Sequence, residues 1–303
     1  MSRRVRCVIS VLLLAAMLTA CGKASPAAES AAAPIETVPD PEPTPAPVEV
    51  KLDYVIDEPV IEEDSGASKR VTFYRDGNPI KAKLMLPEGE RPFPTVVITG
   101  GLYASLGLYS EKARVFNENG YAVVELRPTN NKMPAFYSEP EYLGDFVYEQ
   151  TLDILAVTDA LEFFPELDLS KLFLFGHSMG GLATAYAGVL KQDAIRAMIL
   201  VEPSFQYPES MTFENGQTLP TAFYPLLSEC ETPVLIVKGT GERPDLPDFP
   251  HFYDRAIEAL PKAELVTVEG ADHPMNGDYG TQMVEQVVRI LNGLQQDNTT
   301  ERE

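Results

Sequence analysis

In Gly176-His177-Ser178-Met179-Gly180 a serine has glycines two positions before and two positions after it. Leu172 to Phe175 ahead of it are apolar and partly aromatic, and the helix-forming run Leu182 to Leu190 follows. So tight a strand-to-helix turn needs small residues at both flanks and pushes the serine above the sheet, beside the first amides of the helix. That is the setting of a hydroxyl that attacks a carbonyl. A serine hydroxyl is a weak nucleophile until a base takes its proton, and the chain has three histidines to choose from. His177 adjoins the serine, which directs its side chain elsewhere; it reads as packing or support. His251 opens a predicted helix and reads as a surface or pocket-edge residue. His273 lies in Glu269-Gly270-Ala271-Asp272-His273-Pro274, beyond the last predicted strand. A base must come from a loop over the strand ends to reach a serine raised there. Ser178 and His273 are therefore the candidate nucleophile and base.

Positioning them requires a sheet. Hydrophobic runs and turn residues predict strands at Arg70 to Tyr74 and Ile80 to Leu86, joined across Asp76-Gly77-Asn78. Further strands are predicted at Pro94 to Thr99, Tyr121 to Leu126, Leu172 to Phe175, Ala197 to Val201, Pro233 to Lys238 and Glu264 to Val268. Between them fall helices at Tyr109 to Asn119, Asp145 to Phe164, Leu182 to Leu190 and His251 to Leu260, with a closing helix from about Gly280 to Leu294. This alternation predicts an α/β fold: a mostly parallel central sheet with helices on both faces and active groups at the strand C-termini. Pro203 to Glu229 is an irregular excursion with Tyr207, Phe213, Phe223 and Tyr224; a cap insertion over 203–231 is expected from it.

This order of parts resembles the α/β-hydrolase superfamily, in particular its dienelactone-hydrolase-like and esterase-like branches. The resemblance covers roughly Ser68 to Leu294, and Leu152 to Gly181 is its most specific block. It implies a catalytic set in the chain order Ser, acid, His. The acid is expected after the strand Pro233 to Lys238, where Gly239-Thr240-Gly241-Glu242 matches a family pattern that usually ends in aspartate. Glu242 is the implied acid; Asp245 and Asp248 are alternatives close by, and Glu202 is one after the preceding strand. An oxyanion hole needs two N–H donors aimed where negative charge develops. The first is expected at Met179, directly after the nucleophile. The second is expected after Pro94 to Thr99, where Gly100-Gly101-Leu102-Tyr103-Ala104-Ser105 resembles the family's H-G-x-G segment. That places the donor at Leu102, with Gly101 as the alternative. No cofactor and no metal are expected, and neither zinc-type Cys/His spacing nor a phosphate-binding glycine motif occurs in the sequence.

The ends of the chain read differently. Arg3, Arg4 and Arg6 precede an apolar run, Val8 to Leu18, too short to span a membrane and suited to a signal peptide over residues 1–20. Leu18-Thr19-Ala20-Cys21 looks like a bacterial lipobox, which implies cleavage before Cys21 and lipid on its thiol. Cys230 is then the remaining cysteine, with no disulfide partner, and reads as structural. Residues 22–50 hold seven prolines and no aromatic, a composition that cannot bury enough surface to offset ordering entropy. Residues 21–50 thus read as a lipidated cysteine and its tether, 51–295 as the hydrolase domain and 296–303 as a polar tail. The net charge is −21, and loss of three arginines with the signal peptide leaves about −24. So acidic a chain excludes an electrostatic nucleic-acid footprint or adsorption to anionic lipid. The expected partners are a small acyl substrate and, through the lipid anchor alone, a bacterial membrane on its extracytoplasmic side. The expected activity is that of a serine hydrolase on an ester or similar acyl bond. Thioesterase, peptidase or acyltransferase chemistry on the same scaffold, and ligand binding without catalysis, are the rival readings.

Overall fold

The computed structural model describes residues 3–10, 49–102, 104–127, 129, 140–204, 230–241, 253, 256–258 and 260–300. Among the described residues ten strands, numbered along the chain from β1 (Arg3–Ser10) and β2 (Glu49–Asp64), form one sheet in the order β1-β2-β3-β4-β6-β5-β7-β8-β9-β10. β3 (Ser68–Arg75) and β4 (Asn78–Met85) make the expected hairpin. Its two-residue turn, Asp76-Gly77, has φ of 50° and 76°, the left-handed pair that matches the twist of adjoining strands. β4 runs antiparallel to β6 (Ala122–Arg127). From there the sheet is parallel through β5 (Phe93–Thr99), β7 (Leu167–His177), β8 (Ala197–Val201), β9 (Val234–Gly239) and β10 (Ala263–Val268). The C-terminal ends of these parallel strands therefore share one edge.

Alternate residues of the central strands enter two separate cores. Val97, Leu172 and Leu174 pack with α2 (Pro140–Ala160) and α3 (Met179–Leu190) on one face. Val96, Ile98, Phe173 and Phe175 pack with α1 (Ser110–Glu118) and α4 (Asp278–Thr300) on the other. Phe173 and Phe175 are wholly buried, worth roughly 2–3 kcal/mol each in transfer free energy. A sheet covered on both faces explains why these strands read as continuous apolar runs rather than alternating ones. The molecule has the α/β-hydrolase fold.

Three features differ from the sequence reading. β2 (Glu49–Asp64) is a long strand that the acidic, proline-containing sequence hid; Tyr54 and Ile56 are buried while Asp53 is exposed, so its inner half does alternate. Residues 1–20 were expected outside the fold, yet Arg3–Ser10 forms β1, antiparallel to β2 at the sheet edge. α4 also continues to Thr300, past the residue at which a polar tail was expected. The tether residues 21–48, Cys21 among them, and residues 205–229 of the expected cap lie outside the described residues. Among the described residues no helix is long and apolar enough to cross a membrane.

Candidate active site

Ser178 sits between β7 and α3 with φ 56° and ψ −124°, a strained backbone for a residue with a side chain. Two things hold it there. Its N–H donates to the Val201 carbonyl at 3.0 Å, and its own carbonyl accepts from Gly181 at 2.9 Å and Ser204 at 3.1 Å. The flanking glycines are steric necessities. A Cβ at Gly180 would stand 2.3 Å from the Gly100 oxygen and 2.7 Å from that of Thr99, and one at Gly176 would stand 2.4 Å from the Gly180 oxygen. The loop after β5 thus presses directly on the elbow: a Cβ at Gly101 would come within 2.9 Å of the Ser178 Cβ. The Ser178 hydroxyl is half-buried and lies 3.5 Å from the Ser204 hydroxyl.

The two oxyanion candidates separate cleanly. The Gly101 N–H donates to the Tyr109 hydroxyl at 3.3 Å and is thereby occupied. The amides of Leu102 and Met179 have no acceptor among the described residues. Met179 opens α3, where the helix dipole and orphan amides favour negative charge.

His273 lies on the loop after β10, its side chain 27% exposed. Its Nδ1 is 3.6 Å from Oε2 of Glu202, within charge-pair range and a few tenths of an ångström beyond hydrogen-bond length. Glu202 directly follows β8 and has φ 45°. Its N–H donates to the Val237 carbonyl at 2.8 Å. Oε1 accepts from the Gly239 amide at 2.5 Å and Oε2 from the Tyr253 hydroxyl at 3.2 Å, so the buried carboxylate is held from both sides. Sequence reasoning kept Glu202 only as an alternative to Glu242. Glu242, Asp245, Asp248 and His251 lie outside the described residues.

Gly239 and Gly241, read from sequence as the approach to an acid, serve a different end here. A Cβ on them would fall 2.0 Å and 2.6 Å from the Ala271 oxygen. The Gly241 amide donates to that oxygen at 2.8 Å, and Thr240 Oγ1 accepts from the Gly270 amide at 2.8 Å. The glycines make a bed into which the His273 loop packs. That loop is pinned from α1 as well. The buried Lys112 ammonium donates to the Pro274 carbonyl at 3.2 Å, and Glu111 accepts from the Gly277 amide at 3.2 Å. Burial lowers the Lys112 pKa, opposed by the nearby Glu111 and Asp272 charges.

Behind the site, Glu125 of β6 is buried and accepts from the amides of Gly107 and Tyr109 at 2.8 and 3.1 Å. Burial pushes its carboxyl above the usual range, against the opposing pull of those amides and of Lys83. Cys230 is buried, and burial raises its thiol pKa. Among the described residues no group of three or more His, Cys, Asp or Glu is placed to hold a metal ion.

An elbow serine, a histidine loop and a carboxylate at one edge of a parallel sheet define the α/β-hydrolase architecture, and comparison with known proteins agrees with it. Residues 149–279 match the family model described as "Serine aminopeptidase, S33"; this span contains Ser178, Glu202 and His273. Esterase FrsA of Salmonella typhi is 27% identical over 128 residues, which take in 42% of this chain and 29% of that protein. The chain therefore spans less than a third of that relative's length. Among solved structures, Est1E from Butyrivibrio proteoclasticus superposes with a TM-score of 0.57 at 18% identity, over 74% of this chain and 98% of that one. A dienelactone hydrolase from Anabaena variabilis superposes with a TM-score of 0.52 at 18% identity, over 70% and 90%. At such identities the structural likeness is one of fold.

Proposed function

We propose that the protein is a serine hydrolase that cleaves an ester or similar acyl bond through an acyl-enzyme. The observation that carries this is the strained Ser178 at the head of α3, with the His273 loop and Glu202 at the same edge. In the reaction Ser178 Oγ attacks the carbonyl while the His273 imidazole takes its proton. The amides of Met179 and Leu102 hold the oxyanion, and collapse expels the alcohol with the proton returned from His273. Water then repeats the sequence to release the acid. Glu202 orients the imidazole and stabilises its charged form, in the place that the family pattern assigns to Glu242. Relatives named as esterases support the ester reading. The description of the matching family model favours a second one, hydrolysis of a peptide bond from an N-terminus.

The test is reaction of the purified protein with an organophosphonate probe, then a panel of esters, thioesters and peptides. Ser178→Ala is expected to abolish labelling, and His273→Ala nearly to do so, because the two act as one unit. A folded wild-type protein that neither labels at Ser178 nor turns over any substrate would leave ligand binding as the better reading. We propose further that the mature protein begins at a lipidated Cys21, cleavage removing β1 from the sheet edge, and acts outside the cytoplasm of a bacterial cell, supported by Leu18-Thr19-Ala20-Cys21 after an apolar run. Cys21→Ser is expected to lose lipid labelling and membrane association; unchanged membrane retention would refute the anchor.

A further inference from the structure

Resting on the serine hydrolase reading, we infer that His177 and Tyr109 are positioning residues, a relay that locks the His273 loop to the oxyanion loop. The directions of its hydrogen bonds follow from one acceptor-only group and a neutral His177 ring. The His273 backbone carbonyl can only accept, and His177 Nε2 lies 2.8 Å from it; Nε2 therefore carries the proton. Nδ1 of the neutral ring must then accept, and the group facing it at 2.8 Å is the Tyr109 hydroxyl, which donates. The same hydroxyl oxygen accepts from the Gly101 amide at 3.3 Å. Every donor in the run Gly101 N–H, Tyr109 O–H, His177 Nε2–H thus meets an acceptor, ending on the backbone of the base itself.

The surroundings support a mechanical role. Tyr109 and His177 are 4% and 8% exposed, so each lost partner leaves a buried polar group unsatisfied. The rings of His177 and His273 lie 4.8 Å apart at 42°. Lys112 sits 5.5 Å above the Tyr109 ring while holding the next carbonyl, that of Pro274. Two successive carbonyls behind the base are thus held by side chains that also touch Tyr109. Holding the Gly101 amide on Tyr109 fixes the Gly100–Gly101 peptide, one peptide unit before the one that carries the Leu102 N–H, the candidate oxyanion donor. A catalytic set tolerates about 0.5 Å of error, and the relay spans the two loops that must meet that tolerance.

Three variants test the relay: His177→Met, which keeps bulk without a donor; His177→Gln, whose amide nitrogen can reach the Nε2 position; and Tyr109→Phe. With an activated ester, the His177→Met and Tyr109→Phe proteins are expected to lose roughly 10- to 100-fold in kcat with KM within about threefold, the signature of misplacement rather than weakened binding. His177→Gln is expected to recover most of the loss. Equal losses in His177→Gln and His177→Met, or kcat within about twofold of wild type in both His177→Met and Tyr109→Phe, would overturn the relay. Ring nitrogen NMR of folded wild-type protein supplies a readout independent of turnover. A neutral His177 protonated at Nε2 is expected, with that preference weakened in Tyr109→Phe; protonation at Nδ1 overturns the relay even if the His177→Met protein fails to fold. Wild-type protein with no hydrolase activity would reject the proposed function, and the tautomer would then decide the relay by itself.

Discussion

Replacing Glu202 by Gln removes a charge at nearly constant volume, which makes it the sharpest test of the site. The amide oxygen of glutamine can still accept from the Gly239 amide, while its NH2 takes the place of Oε2, so that the Tyr253 hydroxyl must turn from donating to accepting. What is lost is the attraction between Glu202 Oε2 and the imidazolium that forms at His273 when Ser178 attacks. At the observed 3.6 Å, Coulomb's law with an effective dielectric of about 20 gives roughly 4–5 kcal/mol. His273 is about a quarter exposed, and water screening at that face reduces the effect to roughly 2–4 kcal/mol. Because the attraction is lost where the ring takes the proton of Ser178 in the transition state, the loss falls on kcat, by about 30- to 1000-fold. KM and the melting temperature are expected to move little. The assay is steady-state hydrolysis of an activated ester by Glu202→Gln and Glu242→Gln side by side, with melting curves as the control. A Glu202→Gln enzyme within about threefold of wild type beside a crippled Glu242→Gln enzyme would refute the electrostatic reasoning and move the acid to the loop after β9.

Gly180→Ala is expected to lose about 1–3 kcal/mol and some 3–10 °C in melting temperature, because its methyl would meet the Gly100 and Thr99 carbonyls on rigid backbone. Gly293→Ala, where nothing stands within 4 Å, should gain up to about 1 kcal/mol from helix propensity; equal effects at the two positions would refute the steric account. Glu125 gives a pH-dependent case. Its raised pKa means that the folded state binds the proton more tightly than the unfolded chain, so its contribution is complete below the unfolded value of about 4.3 and is lost as pH rises through the folded one. Glu125→Gln keeps the acceptor for Gly107 and Tyr109, so its melting temperature relative to wild type should become more favourable as pH rises above the unfolded value of about 4.3; a constant difference would show that Glu125 ionisation does not reach stability.

Features set by a few neighbouring residues were legible in the sequence. The Ser178 elbow, the Asp76-Gly77 turn and the buried runs of β5, β7 and β8 depend on local backbone strain and burial, which glycine spacing and continuous hydrophobicity record directly. The position of His273 was legible because a loop after the last parallel strand must lie at the serine's edge of the sheet. The strand β2, second from the sheet edge, was hidden, since burial on only part of its length leaves a weak pattern among Glu58, Pro59 and Glu62. Which carboxylate stands beside His273 Nδ1 was beyond sequence reasoning. Glu202 reaches that place through the adjacency of β8 and β9 and a positive φ that only surrounding hydrogen bonds sustain, while a family pattern pointed one strand further on. The tertiary structure also decided what the remaining local signals were for. Gly239 and Gly241 bed the base loop, and His177, turned away from the serine beside it, donates to the backbone of a residue 96 positions along the chain. Spacing along a chain records local strain; which groups meet across the strand ends depends on sheet order and loop packing, and those exist only once the chain has folded.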